Sequence, residues 1–460
     1  MNNIAYYKKK SLDNLVMRSL NSVWHPCTQI KYPIKNTNNF YEIPLIPISH
    51  GYGPWLIDVL GRRYLDAISS WWVNLFGHSN SYINTALKNQ LNKLEHVMLS
   101  NLTHKPVIKL SEKLSSFTKY KLGHCFYSSD GASAVEIALK MSFHFWYNKG
   151  FLNKKKFICL QNSYHGETLG ALAVTNIKLF KGIYKSLLKK TYIITTPDSR
   201  NLNKGNNAHE IARCAAFDLE ILLKKSSNKI AAIIIEPLVQ CAGGMIMYDS
   251  VYLKLVREIC NNYNIHLIAD EIAVGCGRTG KFFACEHADI WPDFLCLSKG
   301  ITGGYLPLSL VMTTDKIYNL IYYKNNMNSF LHSHSYSGNP LACCAALATL
   351  EIFNKHNILQ RISQDMKKIT KKLTSLITHP QIINFRQQGM IWAFDVIIEN
   401  PAQREIFSQK FFSTALKNEL LLRPIGNTVY LMPPYILNKN EIKHMILAIF
   451  KTFNEVISSK

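Results

Sequence analysis

Short apolar segments that alternate with longer helical stretches constrain the fold of this 460-residue chain more than any other feature. From about residue 125 these segments are rich in β-branched residues, and each is followed by a loop and a helical stretch. They are residues 157–160, 230–235, 266–269, 294–297 and 308–312. Strands that are apolar along their whole length and alternate with helices are typical of a parallel sheet covered on both faces. The sequence therefore predicts an α/β domain.

A change of pattern after Gly338-Asn339-Pro340 indicates a second domain. Pro340 suits the first turn of a helix, and the helical pattern continues to about residue 377. Beyond it, strand-like segments at 390–397 and 428–432 mix with helices, as in a smaller α+β domain. A chain of 460 residues also exceeds the usual size of one hydrophobic core. We expect three parts, an N-terminal segment that joins the smaller domain, a large domain and a C-terminal small domain, with bounds 1–75, 76–340 and 341–460.

The net charge of +23 raises the alternative of a nucleic-acid-binding protein. Such proteins usually gather lysine and arginine on one face or in a dense run. Here the longest basic runs are short, as in Lys8-Lys9-Lys10 and Lys154-Lys155-Lys156, and the other basic residues are scattered. This distribution favours a general compositional bias, and we expect no nucleic-acid partner.

The eleven cysteines are irregularly spaced and form no CxxC pair, which indicates reduced thiols in a cytoplasmic protein. The group Cys276, Cys285, His287 and Cys296 lacks the paired ligands of a zinc module, so we expect no metal. No apolar segment is long enough to cross a bilayer, and the first twenty residues do not resemble a secretory signal. We therefore expect no association with a membrane.

Three polar features fall at the carboxyl ends of strands, where ligands of open parallel sheets usually bind. They are Lys299 in Ser298-Lys299-Gly300, Asp270 before Glu271, and the turn at residues 128–133. Alone, Lys299 is more often a solvated charge, and Asp270 suits a metal ligand, a ribose ligand or a structural charge equally well. Small residues around Lys299 allow a bulky ligand to approach, and a confined lysine can act as a nucleophile toward an aldehyde.

The turn Asp130-Gly131-Ala132-Ser133 is predicted to open a helix whose free amides would bind an anion. Ordinary capping of the helix by Asp130 is the alternative, and both can hold together. Gly275, Gly277 and Gly280 also fit the GxGxxG pattern of dinucleotide-binding proteins. The sequence argues against a dinucleotide site here, because the acidic residue precedes the glycines instead of following them by about twenty residues.

Together these motifs resemble the class III aminotransferases, which have the pyridoxal-phosphate fold type I. The residues that carry the resemblance are Ile268-Ala269-Asp270-Glu271, Gly277-Arg278-Thr279-Gly280, Leu297-Ser298-Lys299-Gly300, Trp24-His25-Pro26, Ser69-Ser70-Trp71-Trp72, Tyr164-His165-Gly166, Glu236-Pro237, Gly338-Asn339-Pro340, Arg423-Pro424 and Tyr430-Leu431-Met432-Pro433-Pro434. The resemblance implies a large domain with a mostly parallel seven-stranded sheet covered by helices. It also implies a smaller α+β domain built from both chain ends.

The double tryptophan and the Arg423 to Pro434 stretch narrow the resemblance to one branch of the family. That branch uses S-adenosylmethionine as amino donor and converts 8-amino-7-oxononanoate to 7,8-diaminononanoate in biotin biosynthesis. The alternative is another class III aminotransferase, with ornithine, 4-aminobutyrate, another ω-amine or lysine as donor.

The resemblance implies a role for each matching residue. Lys299 would carry pyridoxal 5'-phosphate as a Schiff base and move the substrate proton, and Asp270 would bind the pyridinium nitrogen. The phosphate would be held by the amides of Gly131 and Ala132. It would also be held by the hydroxyl of Ser335 from a second subunit, which implies a homodimer with shared active sites.

A second set of residues would bind the substrates. Tyr164 would pack near the cofactor ring, Trp71 would shape the cavity, and Arg423 would bind a carboxylate with its planar fork of donors. Further substrate contacts are implied for Cys27, Arg278, Ser333 and Tyr430.

Three positions depart from the familiar pattern of the family. Cys27 stands where a tyrosine often contacts the keto substrate, Ala132 replaces a serine of the phosphate loop, and Ser333-His334-Ser335 replaces Gly-Pro-Thr.

Overall fold

The computed structural model describes residues 14–28, 31–33, 40–201, 207–322 and 329–458. The chain forms two compact units, one of residues 82–363 and one of residues 1–81 with 364–460. The sequence placed the second boundary earlier, at residue 340. In the structure the helix Pro340–Lys355 packs against the helix Lys105–Phe117 and therefore belongs to the larger unit.

The larger unit is built on a sheet that has seven strands within the described residues. In spatial order they are His124–Ser128, Ser309–Thr313, Phe294–Leu297, His266–Asp270, Ile230–Ile235, Lys156–Leu160 and Tyr192–Ile194. All side chains of Ile230–Ile235 and of His266–Asp270 are buried, as expected for strands covered on both faces. The predicted mostly parallel α/β sheet is confirmed.

One strand of this sheet, Ser309–Thr313, runs antiparallel to both of its neighbours. The sequence grouped this segment, as residues 308–312, with the strands of the parallel sheet. Its connection from Phe294–Leu297 contains only the short 3-10 helix Lys299–Thr302. A parallel return needs a crossover of a dozen or more residues, usually through a helix, so the short connection dictates an antiparallel return.

Both units contain helices within the described residues. Their bounds are Ser69–Trp72, Ser81–Leu91, Lys105–Phe117, Gly131–Asn148, Leu169–Val174, Lys178–Lys181, Ala208–Ser226, Val251–Asn262, Asp315–Tyr322, Pro340–Lys355, Ile358–Ile377, Pro401–Lys417 and Lys439–Ser458. The single helical stretch predicted after Pro340 is interrupted at Asn357, whose φ is 46°. Asparagine tolerates this left-handed conformation better than most residues, so the helix ends there and a second one starts.

The described residues of the smaller unit form three sheets. Their strands are Lys31–Pro33 with Phe40–Glu42; Leu420–Leu421, Arg63–Asp66, Trp55–Asp58 and Ile48–Tyr52; and Ile382–Gln388, Ile391–Val396 and Thr428–Leu431. In the second sheet Leu420–Leu421 pairs in parallel with Arg63–Asp66. Both ends of the chain therefore build this unit, as the resemblance implied.

Among the described residues, no helix has the length and apolar character needed to cross a membrane.

Candidate active site

The carboxyl ends of three strands of the large sheet bring the central candidates to one edge. Asp270 ends the strand His266–Asp270, and one residue, Ser298, separates Lys299 from the end of the strand Phe294–Leu297. The strand His124–Ser128 ends just before the helix that starts at Gly131. Because these three strands point in the same direction, their ends form one polar edge.

Asp270 is buried, and both of its carboxylate oxygens accept hydrogen bonds. Oδ1 accepts the Ile272 amide at 3.1 Å, and Oδ2 lies 2.7 Å from Nδ1 of His165. A carboxylate oxygen accepts hydrogen bonds, so Nδ1 of His165 is the donor of this contact. Within the described residues, the other ring nitrogen of His165, Nε2, is buried and has no hydrogen-bond partner.

Glu236 is a second buried carboxylate at this edge. It follows the strand Ile230–Ile235 and accepts the amides of Tyr164 at 2.9 Å and of Cys241 at 3.2 Å. Burial, reinforced by the charge of Asp270, raises the pKa of Glu236 well above its ordinary value. The positive charge of Lys299 opposes this rise, because it favours the ionised form of Glu236.

Lys299 is partly buried and starts the short 3-10 helix with a φ of 46°. Desolvation by burial lowers the pKa of Lys299, and the opposing charges of Cys241, Asp270 and Glu236 raise it to a smaller extent. A lowered pKa increases the neutral fraction of the amine, which is the form that attacks an aldehyde.

The helix Gly131–Asn148 presents its N-terminus to the same edge. The carboxylate of its N-cap residue, Asp130, accepts the amide of Ser133, so the predicted capping is present. The first amides, of Gly131 and Ala132, have no acceptor inside the helix and are available to an anion. A β-carbon at residue 131 would lie 3.0 Å from Cδ1 of Ile272, so glycine permits Ile272 to pack against this turn.

Gly166 keeps the loop after Tyr164 close to the helix N-terminus. Its φ is 122°, and a β-carbon there would lie 2.5 Å from Cβ of Ala132. Only glycine satisfies both conditions.

We expect Gly166→Ala to lower the free energy of unfolding by about 3 kcal/mol, because it combines backbone strain with overpacking. Gly150→Ala is the matched control, since Gly150 also has a positive φ, of 83°, but has open space around its missing β-carbon. It should cost only about 1 kcal/mol, the strain alone. Urea unfolding of both variants measures the difference, and equal losses would contradict the close contact with Ala132.

The other candidates of the larger unit lie in different surroundings. Tyr164 is half-buried, and its hydroxyl donates to Glu167 at 2.8 Å. Arg278 is buried, with 1% of its surface exposed. Ser333 and Ser335 are exposed on the chain as described. The structure therefore brings Asp270, Lys299 and the Gly131 turn to one edge, and it leaves the two serines at the surface.

The substrate-binding candidates of the smaller unit form a separate group. The guanidinium carbon of Arg423 lies 4.8 Å from the ring centre of Trp71. Nη2 of the same side chain donates to the carbonyl oxygen of Cys27 at 2.6 Å. Cys27 thus contacts Arg423 through its backbone. Tyr430 is buried, and its hydroxyl accepts a hydrogen bond from the indole of Trp72 at 3.2 Å.

Sequence reasoning gave no role to His165, although it quoted this residue inside the Tyr164-His165-Gly166 motif. The signal was a histidine beside a required glycine, but its partner Asp270 is 105 positions away and only the fold joins them.

The groups at this edge of the large sheet suit the binding of one kind of ligand. It combines an amine of lowered pKa, a buried carboxylate held by a histidine, and an anion-binding helix N-terminus. Such a set suits an aldehyde that carries a cationic ring and a phosphate.

The comparisons with known proteins agree with this chemistry. The family model described as "Aminotransferase class-III" matches residues 37–453. The chain belongs to the class III aminotransferases, so the family predicted from the sequence is confirmed.

Individual relatives are more specific. The adenosylmethionine-8-amino-7-oxononanoate aminotransferase of Helicobacter pylori is 46% identical over 96% of this chain and 98% of that protein. The crystal structure of the enzyme of the same name from Methanocaldococcus jannaschii is similar with a TM-score of 0.86 at 34% identity, covering 96% of this chain and 99% of that one. An amine transaminase from an uncultivated Pseudomonas species, solved in its PLP-bound form, is similar with a TM-score of 0.87 at 29% identity. The match covers 95% of this chain and 99% of that one.

The residues of the larger unit fit pyridoxal phosphate. Asp270 offers a buried carboxylate for a ring cation, and His165 holds that carboxylate through the 2.7 Å contact with its Oδ2. The Gly131 and Ala132 amides suit a phosphate, and Lys299 suits an aldehyde carbon.

Proposed function

We propose that the chain transfers an amino group from S-adenosylmethionine to 8-amino-7-oxononanoate, giving 7,8-diaminononanoate for biotin biosynthesis. The observation that carries the proposal is the similarity to relatives that are named for this donor and acceptor and span nearly the whole chain. The polar edge with Lys299 and Asp270 supports the same reaction.

Bound pyridoxal phosphate supplies a carbon that accepts the amino group and a ring that absorbs the electron pair released at the substrate. Lys299 would hold this cofactor through Nζ. The same Nζ is the base that would accept the proton of the substrate α-carbon and give it back. The neutral amine that burial favours is the form that accepts this proton.

Asp270 keeps the ring nitrogen protonated with its negative charge, and His165 prevents that carboxylate from turning away. The amides of Gly131 and Ala132 bind the phosphate, and Tyr164 packs near the ring. The role of Tyr164 is supported by its backbone, which Glu236 fixes at this edge.

Arg423 binds a substrate carboxylate, and Trp71 forms an apolar wall beside it. The stacking of the guanidinium on the indole supports this pairing, because it orients the donors of Arg423 before a ligand arrives. Ser333, Arg278, Cys27 and Tyr430 are further contacts of the substrate site, with Tyr430 acting through Trp72.

Two copies of the chain form a homodimer in which Ser335 of one copy completes the phosphate site of the other. The exposed position of Ser335 supports this assembly. Large apolar side chains of the same unit are also exposed, among them Leu179 at 87%, Ile183 at 90% and Leu331 at 86%. Exposed apolar surface of this kind commonly marks an interface. Light scattering should give the mass of two chains, and a monomer at micromolar concentration would contradict the shared site.

The enzyme works in the cytoplasm. All eleven cysteines lie in the described residues and are free thiols, which suits a reducing compartment.

A donor comparison tests the proposal. The purified holoenzyme is assayed for 7,8-diaminononanoate with S-adenosylmethionine, lysine, ornithine or 4-aminobutyrate as donor and 8-amino-7-oxononanoate as acceptor. We expect the product with S-adenosylmethionine, with ping-pong kinetics because one site serves both half-reactions. Product with only one of the other donors would contradict the proposed donor. No amino transfer from any donor would contradict the proposed reaction.

A further inference from the structure

Four consecutive residues in the smaller unit have left-handed backbone conformations. Ser69, Ser70, Trp71 and Trp72 have φ values of 51°, 47°, 72° and 75°. For Ser70 and Trp71 the ψ values of 53° and 43° complete the left-handed helical geometry. The amides of Trp72 and Val73 donate to carbonyls four residues earlier, at 2.9 Å each, so this is a closed left-handed turn.

A left-handed turn without glycine is unfavourable in itself. The β-carbon of an L-residue approaches the following carbonyl oxygen, and such residues occur singly in most proteins. A run of four persists only where surrounding contacts determine it, and such strain is common at functional sites.

The contacts that hold the turn centre on Asp66, whose exposed surface is 0%. Its Oδ1 accepts the amide of Ser70 at 2.9 Å, and its Oδ2 accepts the hydroxyl of Ser70 at 2.6 Å. His78 lies 3.1 Å from the same Oδ2 and is fixed by Asn74 at 3.1 Å. Asp66 therefore binds the backbone and the side chain of one residue inside the turn.

Two further contacts orient the turn. The hydroxyl of Ser69 donates to the carbonyl of Met432 at 2.8 Å. The indole of Trp72 donates to the hydroxyl of Tyr430, and both rings are buried. Trp72 thus points into the core, and its neighbour Trp71 is left 46% exposed.

The exposed ring of Trp71 supports Arg423. The guanidinium stacks on this ring, while Nη2 is held by the carbonyl of Cys27. A right-handed or extended backbone at residues 69–72 would rotate Trp71 away from this position. The orientation of Arg423 thus depends on the turn.

We infer that Asp66 is a positioning residue for substrate binding: it holds the left-handed turn that places Trp71 under Arg423. The inference rests on the proposed function, in which Arg423 binds a substrate carboxylate. Asp66 acts through Ser70 and Trp71, and it stabilises a binding surface that is formed before the substrate arrives.

Steady-state kinetics of Asp66→Asn test this role. The asparagine side chain has one acceptor oxygen and no charge, so the turn loses the charged acceptor of either the amide or the hydroxyl of Ser70. We expect KM for both carboxylate-bearing substrates to rise about tenfold, as for the loss of a charged hydrogen bond, with kcat within about twofold. Asp58→Asn is the matched control, because Asp58 is equally buried in this unit and accepts the Leu60 amide and the Tyr64 hydroxyl. It should leave KM unchanged.

A variant with glycine inside the turn distinguishes a positioning role of Asp66 from a general effect on protein stability. Glycine adopts a φ of 47° without strain, so Asp66→Asn combined with Ser70→Gly should restore KM to within about threefold of wild type. Ser70→Val should raise KM as Asp66→Asn does, because a β-branched residue resists this conformation. Ser70→Val alone keeps the test decisive if Asp66→Asn fails to fold.

Hydrogen exchange of the peptide covering residues 66–76 provides a readout that needs no turnover. The amides of Trp72, Val73 and Asn74 should exchange about tenfold faster in Asp66→Asn and return toward wild type in the double variant. Unchanged exchange and unchanged KM in Asp66→Asn would overturn the inference, as would a double variant without rescue. Wild type without amino transfer would contradict the proposed function instead, and the exchange data would still decide the role of Asp66.

Discussion

Replacement of Lys299 by alanine is expected to lower amino transfer at least about 1,000-fold. The variant loses both the covalent link to the cofactor and the amine that carries the substrate proton, and proton transfer by a placed group alone contributes about 100- to 10,000-fold. Lys299→Arg should be equally inactive, because a guanidinium keeps the positive charge but neither attacks an aldehyde nor releases its proton.

Lys281→Ala is the control for this experiment. Lys281 lies in the same unit, and its ammonium donates to the carbonyl of Glu286 at the surface. It should retain the activity of wild type. Turnover within tenfold of wild type in Lys299→Ala would rule out Lys299 as the group that carries the proton.

We also expect the rate of cofactor attachment to Lys299 to depend on pH. Burial lowers the pKa of Lys299 from its ordinary value of 10.5, and only the neutral amine attacks the aldehyde of the cofactor. The rate of cofactor attachment should therefore rise with pH and level off with a midpoint below 10.5. Stopped-flow measurements of attachment across this range locate the midpoint.

Asp270→Asn is expected to lower turnover about 100- to 1,000-fold while the protein still folds. The amide keeps a similar shape but removes the negative charge that holds the ring nitrogen protonated, and the loss of one electrostatic group at a reacting centre typically costs this factor. Asp270→Glu should also be impaired, because a longer side chain cannot keep the 2.7 Å contact with His165.

The neighbouring residue provides a matched control. Glu271 is as buried as Asp270, but its carboxylate accepts the amides of Ala284 at 2.7 Å and Cys285 at 2.8 Å. Glu271→Gln should lower the free energy of unfolding by about 1–3 kcal/mol. One of the two backbone N–H groups would then face the side-chain NH2 group of glutamine and lose its acceptor. The turnover of this variant should stay within about threefold of wild type. Equal losses of turnover in the two variants would mean that Asp270 has only a structural role.

The apolar segments of the sequence predicted the large sheet well because burial on both faces leaves a strong compositional signal. Ile230–Ile235 and His266–Asp270 lie where the pattern placed them. The direction of Ser309–Thr313 was not foreseen, because direction depends on the length of the connection and not on the strand itself.

The candidate site likewise contains one feature that the sequence predicts and one that it does not. Lys299 and Asp270 follow strands, so the polar edge that joins them could be deduced from the strand pattern alone. The bond between Asp270 and His165 could not, since a long-range side-chain contact leaves no local signature.

The turn at residues 69–72 shows a stricter limit of sequence reasoning. A positive φ can usually be predicted from a glycine or an asparagine in the sequence, but this turn consists of two serines and two tryptophans. Its conformation comes from Asp66 and Met432, which contact it through the fold. Tyr430 was predicted as a substrate contact, and the structure shows it buried beneath Trp72, a position that only packing determines.

Reductive trapping tests the central claim most directly. The holoenzyme is treated with borohydride, which fixes the link between a lysine and pyridoxal phosphate, and the labelled peptide is sequenced by mass spectrometry. We predict one pyridoxyl-phosphate label per chain, on Lys299, and its loss when S-adenosylmethionine is added before the reductant without an acceptor. A label on another lysine, or no label in protein saturated with the cofactor, would contradict the assignment of Lys299 and the chemistry built on it.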